Sequence, residues 1–285
     1  MAEPVRVVVM PLGGTIDSLG ASPLDHAWYT EFGRRISSGA LLAQLPPLDH
    51  VAVVEAPPSR RTPSYALTSA DLLQIARSVQ NLANDPRTGG IVITHGTNTL
   101  EETAYFLDLV LDCRVPVVLT GAMRPARSVG WDGPINLLRA VQVATHANSA
   151  GHGVLIVFND TIHRARDGSK TETFRVDAFG SRDTGPVGVV RADGAVQLPP
   201  PRPRNTRIIE LDSLGDSVPR VDIVLSYVDA DDTHIRASHR AGPRSTWCQA
   251  TPRRSNHELV KEGRRGRTRS RVPARSARGQ PELGE

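Results

Sequence analysis

Cysteine is scarce in this chain: Cys113 and Cys248 are the only two in 285 residues. They lie far apart and in no metal-ligand or redox spacing, which excludes a disulfide framework and leaves both expected as free thiols. Long apolar runs are missing as well. No stretch approaches the roughly 18 residues of a membrane span, and the apolar run in MAEPVRVVVMPLGG is too short for a signal-peptide core. A soluble, cytoplasmic protein without a membrane partner is therefore expected. His95 has no HExxH partner spacing and ends an apolar run, so it reads as a packed histidine, and neither a metal nor another cofactor is expected.

Apolar residues make up only 39% of the chain, and the deficit is local. Residues 240–285 hold eleven Arg and one Lys against four Glu, a net charge of +8, whereas the whole chain carries +4. The remaining residues are thus mildly acidic, at −4. The basic excess belongs to one Arg-, Pro- and Ser-rich segment that has no interleaved aromatics beyond Trp247 and no folded motif, so nucleic-acid binding is not the expected function. That composition buries too little apolar surface to offset chain entropy, and disorder is expected there.

What is present is a regular alternation. Short β-branched runs bounded by Gly or Pro read as buried strands at Val5–Met10, Val51–Glu55, Ile91–His95, Val115–Thr120, Gly153–Phe158, Ile208–Leu211 and Val221–Leu225. Between them Ser69–Ala83, Thr99–Leu111 and Ile135–Ala147 carry apolar residues three or four apart, the signature of amphipathic helices. Strand and helix in alternation imply an α/β fold with a mostly parallel, doubly wound sheet. The segment PPPRPRN reads as a linker, since proline locks extended backbone and removes ladder donors. The expected organisation is a large domain over 1–195, a linker over 196–206, the start of a smaller α/β domain over 207–239 with a helix beginning at Asp231, and a disordered basic tail over 240–285.

In an open parallel sheet a ligand sits beyond the carboxyl ends of the strands, where helix N-termini offer free N–H groups. Gly13-Gly14-Thr15, Thr97-Asn98 and Gly121-Ala122 each follow a strand and should meet at that edge. Thr15, behind two glycines, is either an exposed nucleophile or an incidental turn residue. Thr99 and Glu102 fit a capping box, which would place Thr97 and Asn98 just ahead of a helix N-terminus suited to a carboxylate or an oxyanion. Lys170 sits in a loop-like segment; buried beside Thr97, its amine would lose proton affinity and accept a hydroxyl proton. Asp17 to Thr30 reads as a lid that carries the hydroxyl of Tyr29. Ser64 follows the second strand at the same edge.

GGTI at 13–16, ITHGTNTLEETAYFL at 93–107, PVVLTGAMRP at 116–125, DGPINL at 132–137 and ARDGSKTE at 165–172, in that order, resemble the bacterial-type L-asparaginase family over roughly residues 5 to 238. The resemblance implies hydrolysis of the side-chain amide of L-asparagine, with L-glutamine as a further substrate, to the acid and ammonia without a cofactor. It implies that Thr15 is the nucleophile supported by Tyr29, that Thr97 is a second threonine activated by Lys170, that Ser64 holds the substrate's α-carboxylate, and that the Ala122 carbonyl orients the amide. It also implies a homo-oligomer in which a neighbouring subunit completes each site.

The chain departs from that pattern twice. Asn98 stands where the family motif HGTD has an aspartate, so the group expected to meet the substrate's α-ammonium is neutral, and a catalytically weak or merely amino-acid-binding relative is the alternative reading. After residue 238 the family pattern stops, and residues 240–285 have the look of a GC-rich gene read in a shifted frame.

Overall fold

The computed structural model describes residues 4–46, 52–58, 61–201, 208–225, 228–242 and 245–249. They divide into two compact units, one up to Val218 and one from Pro219 onward.

The first unit is built on an eight-stranded sheet. Five of its strands are β1 (Val5–Pro11), β2 (Ala52–Glu55), β3 (Gly90–Thr94), β4 (Val117–Thr120) and β5 (Val154–Phe158), which pair in parallel in the order β2-β1-β3-β4-β5. Around them lie the helices α1 (Ser38–Leu42), α2 (Ser69–Asn84), α3 (Leu100–Val110) and α4 (Gly133–Thr145). The expected α/β class and mostly parallel sheet are what the structure has.

Strand periodicity divides the core in two. Ile91, Ile93, Val117, Leu119, Val154, Ile156 and Phe158 face one side, where Ile75, Ala76 and Val79 of α2 and Leu100, Ala104 and Leu107 of α3 cover them. The intervening Val92, Val118, Leu155 and Val157 face the other side, against Leu41 of α1 and Leu137, Ala140 and Val141 of α4. Because both faces are covered, these strands are apolar throughout rather than alternating with polar residues, as a parallel sheet requires.

This division has a topological consequence. The β3-α3-β4 and β4-α4-β5 connections advance in the same direction across the sheet, yet their helices lie on opposite faces. Two such crossovers have opposite hands, so one of them departs from the right-handed rule that holds in about 98% of cases.

Three further strands extend the sheet antiparallel beyond β5. The turn residues Asn159 and Asp160 have φ values of 47° and 61° and fold β6 (Thr161–Arg164) back on β5, with Phe158 opposite Thr161. Positive φ at both central residues is the geometry of a two-residue hairpin, and Asn and Asp tolerate it best after Gly. The short β7 (Ser169–Lys170) and β8 (Phe179–Gly180) form a separate antiparallel pair. β9 (Gly188–Val190) and β10 (Val196–Gln197) then complete the large sheet. The sheet thus includes Val196 and Gln197.

Two expectations fail locally. Ile208–Leu211 is not a strand: residues 208–210 are irregular and lead into a 3₁₀ turn over Leu211–Leu214. Ile209 donates its N–H to the Leu109 carbonyl at 2.8 Å, while Leu211 and Leu214 pack on the α2/α3 side of the core. Their spacing, read as a β pattern, serves to cover a helical layer. Thr99 precedes α3 but makes no capping box; its hydroxyl donates to the Ser64 carbonyl at 2.9 Å. The true capping box is at α2, between Thr68 and Asp71.

The second unit contains β11 (Val221–Leu225), α5 (Thr233–Arg240) and β12 (Ser245–Gln249), with β11 and β12 parallel. α5 begins at Thr233, two residues past the expected Asp231. β12 lies inside the segment expected to be irregular, and the rest of that segment from 250 onward lies outside the described residues.

Candidate active site

Strand order reverses between β1 and β3, since the chain leaves β1 toward β2 and returns on the other side. At such a point the loops that follow the two strands diverge and leave a crevice. The loop after β1 carries Gly13, Gly14 and Thr15; the loop after β3 carries Gly96, Thr97 and Asn98.

Glycine makes these loops approach one another. Gly14 has φ of 112°, and a Cβ placed on it would lie 2.5 Å from the Gly96 Cα. A Cβ on Gly96 would lie 2.6 Å from the Ser64 Oγ, and one on Gly121 2.6 Å from the His95 carbonyl oxygen. The backbones after β1, β3 and β4 are therefore in direct contact, which only residues without side chains permit.

The loop after β3 is tied to α3 by His95. This fully buried ring bonds through Nδ1 to the Gly96 carbonyl at 2.7 Å and through Nε2 to the Thr103 hydroxyl at 3.0 Å, and burial pushes its pKa down. The expectation of a packed histidine matches this environment. The loop after β4 is held by the DGPINL segment. Asp132 accepts the N–H groups of Met123 and Arg124, and Asn136 donates to the Gly121 carbonyl at 3.1 Å and accepts the Asn159 N–H at 3.0 Å. Burial raises the Asp132 pKa, against the lowering effect of those two N–H groups.

A cavity of about 260 Å³ opens between these loops, lined by Thr15, Tyr29, Thr97, Asn98, Arg124 and Lys170 among others. Both threonines are nearly buried. The Thr15 hydroxyl lies 2.8 Å from the Tyr29 hydroxyl, and the Lys170 ammonium donates to the Thr97 hydroxyl at 2.9 Å. Burial raises the Tyr29 pKa and lowers that of Lys170, the latter opposed by the Glu101 carboxylate. Tyr29 arrives from the segment over 17–30, whose turn is organised by Asp25 through the N–H groups of Ala21, Ala27 and Trp28.

Five of the seven residues singled out in the sequence thus share one cavity: Thr15, Tyr29, Thr97, Lys170 and the exposed rim residue Asn98. Ser64 and Ala122 are buried and do not line it; Ser64 lies against Gly96. Lys170 lies in strand β7 rather than in a loop. The sequence reading missed Glu101, whose carboxylate accepts the backbone N–H of Lys170 across 69 positions of sequence. As the second residue of a helix its bland reading is favourable charge at the N-terminus, and only the long-range contact distinguishes it.

The family description "Asparaginase, N-terminal" matches residues 6–202. The chain belongs to the asparaginase family. It is 38% identical over 241 residues to the glutaminase-asparaginase of Pseudomonas fluorescens biotype A, which is 84% of this chain and 66% of that protein. It is 35% identical over 238 residues to L-asparaginase 2 of Escherichia coli (strain K12), covering 83% of this chain and 67% of the relative. The structure of the probable cytoplasmic L-asparaginase from Campylobacter jejuni superposes with a TM-score of 0.78 at 31% identity, over 86% of this chain and 74% of the other. The chain thus spans about two thirds of the length of these asparaginase relatives, and residues 6–202, matched by the family, contain every residue of the cavity described above.

Cys113 is a free, half-buried thiol in this family member, with burial raising its pKa to about 11; the Cys248 side chain lies outside the described residues. Among the described residues no helix is long and apolar enough to cross a membrane.

Proposed function

We propose that this chain is an amidohydrolase that converts L-asparagine, and by extension L-glutamine, to the corresponding acid and ammonia, with the region 1–195 as its catalytic domain. The observation that carries the reading is the pairing of two hydroxyls in one cavity, Thr15 with the Tyr29 phenol and Thr97 with the Lys170 amine.

Thr15 Oγ forms a bond to the amide carbon as its proton passes to the Tyr29 oxygen, while the phenol, which burial keeps protonated, releases its own proton toward the amide nitrogen. The C–N bond then breaks and the nitrogen leaves as ammonia after taking up a proton. Water hydrolyses the resulting ester, which releases the carboxylic acid and restores the threonine hydroxyl. Lys170 serves as the base of the Thr97 pair: burial lowers its pKa, which favours the neutral amine that can accept a proton. Asn98 at the rim faces the substrate's α-ammonium, and Ser64 and the Ala122 carbonyl take the α-carboxylate and the amide as the loops adjust around the ligand.

Support also comes from the relatives, the glutaminase-asparaginase of Pseudomonas fluorescens and L-asparaginase 2 of Escherichia coli. A cytoplasmic setting is favoured by the C. jejuni protein's description, although the Haemophilus influenzae relative is named periplasmic. Assembly into a homo-oligomer that completes the site is proposed on the family resemblance alone.

Ammonia release from asparagine, measured for the parent chain and for Thr15→Ala, tests the reading. A loss of at least about a thousandfold is expected on removing a nucleophile. Equal rates in the two proteins would eliminate Thr15 from that role.

A further inference from the structure

We infer that Glu101 is the positioning residue of Lys170: it clamps the lysine's backbone and supplies the negative charge that governs its amine. This inference deepens the proposed amidohydrolase reading and rests on it only for its kinetic consequences.

The argument begins with the short pair β7-β8. Ser169 opposes Gly180 and Lys170 opposes Phe179, and the next residue, Thr171, donates its N–H to the Ala178 carbonyl at 2.7 Å. Alternation along a strand turns the Lys170 N–H away from the ladder. Because this sheet has only two strands, that N–H finds no partner within it. The Glu101 carboxylate, from the first turn of α3, takes it.

The same helix starts three residues after Thr97, whose hydroxyl receives the Lys170 ammonium. The first turn of α3 and the loop that leads into it therefore hold both ends of the lysine, its amide through Glu101 and its Nζ through Thr97. A flexible four-carbon side chain fixed at both ends loses the freedom that would let its amine swing into solvent. Glu101 itself is half-buried, with its pKa raised by burial and by the neighbouring Glu102 and lowered by the Lys170 N–H, by Lys170 and by Arg182. The charged groups that face this assembly are thus Glu101, Glu102 and Arg182, and of these Glu101 acts directly on Lys170.

Two effects separate in variants. Glu101→Gln keeps an oxygen for the Lys170 N–H and removes the charge; Glu101→Ala removes both. The titration of Lys170 is followed in the full chain by competitive amine acylation against pH, read at the Lys170 peptide by mass spectrometry. The readout does not depend on turnover. In both variants the Lys170 midpoint should move to lower pH, since a negative neighbour that favoured the ammonium is gone. Glu101→Gln should keep the parent's unfolding temperature, which separates charge from structure. In assays of asparagine hydrolysis the acidic limb of kcat should move the same way, with KM held, and Glu101→Ala should lose about tenfold more in kcat than Glu101→Gln.

An unchanged Lys170 midpoint in Glu101→Gln would overturn the inference even if the parent chain hydrolyses asparagine. A lowered Lys170 midpoint in Glu101→Gln, found alongside a parent chain that releases no ammonia, would uphold the clamp and count against the amidohydrolase reading instead.

Discussion

Gly14 and Gly96 meet backbone to backbone, with no room for even one methyl group between the loops that carry the two cavity threonines. The separation of Thr15 from Thr97 is therefore set by two residues that contribute no side chain at all.

Replacing Gly14 by Ala should be costly on two counts. Its φ of 112° is strained for any residue with a Cβ, and the new methyl would sit 2.5 Å from the Gly96 Cα. A loss of at least about 2 kcal/mol in unfolding free energy is expected, accompanied by loss of ammonia release. Gly185→Ala is the control: φ is also positive, at 70°, but a Cβ there meets nothing within 4 Å, so only about 1 kcal/mol should be lost. Equal losses in urea denaturation would show that the inter-loop contact is not what constrains Gly14.

Tyr29→Phe removes the hydroxyl that lies 2.8 Å from Thr15 and leaves the ring in place. The expected result is a drop in kcat of about a hundredfold, the usual range for a positioned acid-base group, with unfolding temperature preserved. A kcat within twofold or so of the parent would remove the phenol from the proton path.

Asn98→Asp puts a carboxylate on the cavity rim. A charge-assisted bond to the substrate's α-ammonium is worth about 1.5–3 kcal/mol, so KM for asparagine should fall by about ten- to a hundredfold. The added negative charge also favours the ammonium form of Lys170, so the acidic limb of kcat should shift to higher pH, opposite in direction to the Glu101 variants. An unaltered KM would mean that the ammonium does not reach this position.

His163 gives the fold a dependence on pH that is independent of the cavity. It is buried, bonded through Nδ1 to the Ser181 hydroxyl at 2.8 Å, while Nε2 has no hydrogen-bond partner among the described residues. Burial lowers its pKa from 6.5 to about 4, so between these values the unfolded chain binds the proton that the folded chain refuses. The associated stability is present above pH 6.5 and is lost as pH falls through about 4, by up to about 3 kcal/mol. Unfolding free energy measured across this range should fall less steeply in His163→Gln, and parallel slopes would refute the assignment.

Much of the architecture was legible because its signals are local. Apolar β-branched runs in alternation with amphipathic segments announce a covered parallel sheet, and six of the seven expected strands are present within about two residues. The hairpin at Asn159-Asp160 was also readable from two residues that tolerate positive φ, but β6 was passed over because its Thr-Ile-His-Arg sequence lacks an apolar run. Ile208–Leu211 misled for the opposite reason. A short, mostly apolar run of four residues suits a strand or the cover of a helical layer equally, and the α2/α3 surface decided between them. The capping box assigned to Thr99 failed because a nearer claim on its hydroxyl, the Ser64 carbonyl, comes from another part of the chain.

The linear chain by itself determined which elements form, that glycines would crowd the carboxyl edge, and which hydroxyls and amine stood nearest that edge, because propensity, periodicity and backbone freedom act over a few neighbouring residues. Tertiary structure alone decided that α4 crosses on the face opposite to α3, that the β7 backbone returns to place Lys170 against Thr97, and that the Glu101 carboxylate accepts a hydrogen bond from the Lys170 backbone N–H. Those outcomes depend on the packing of two helical layers against one sheet, and on burial that lowers an amine's affinity for its proton, neither of which a sequence window contains.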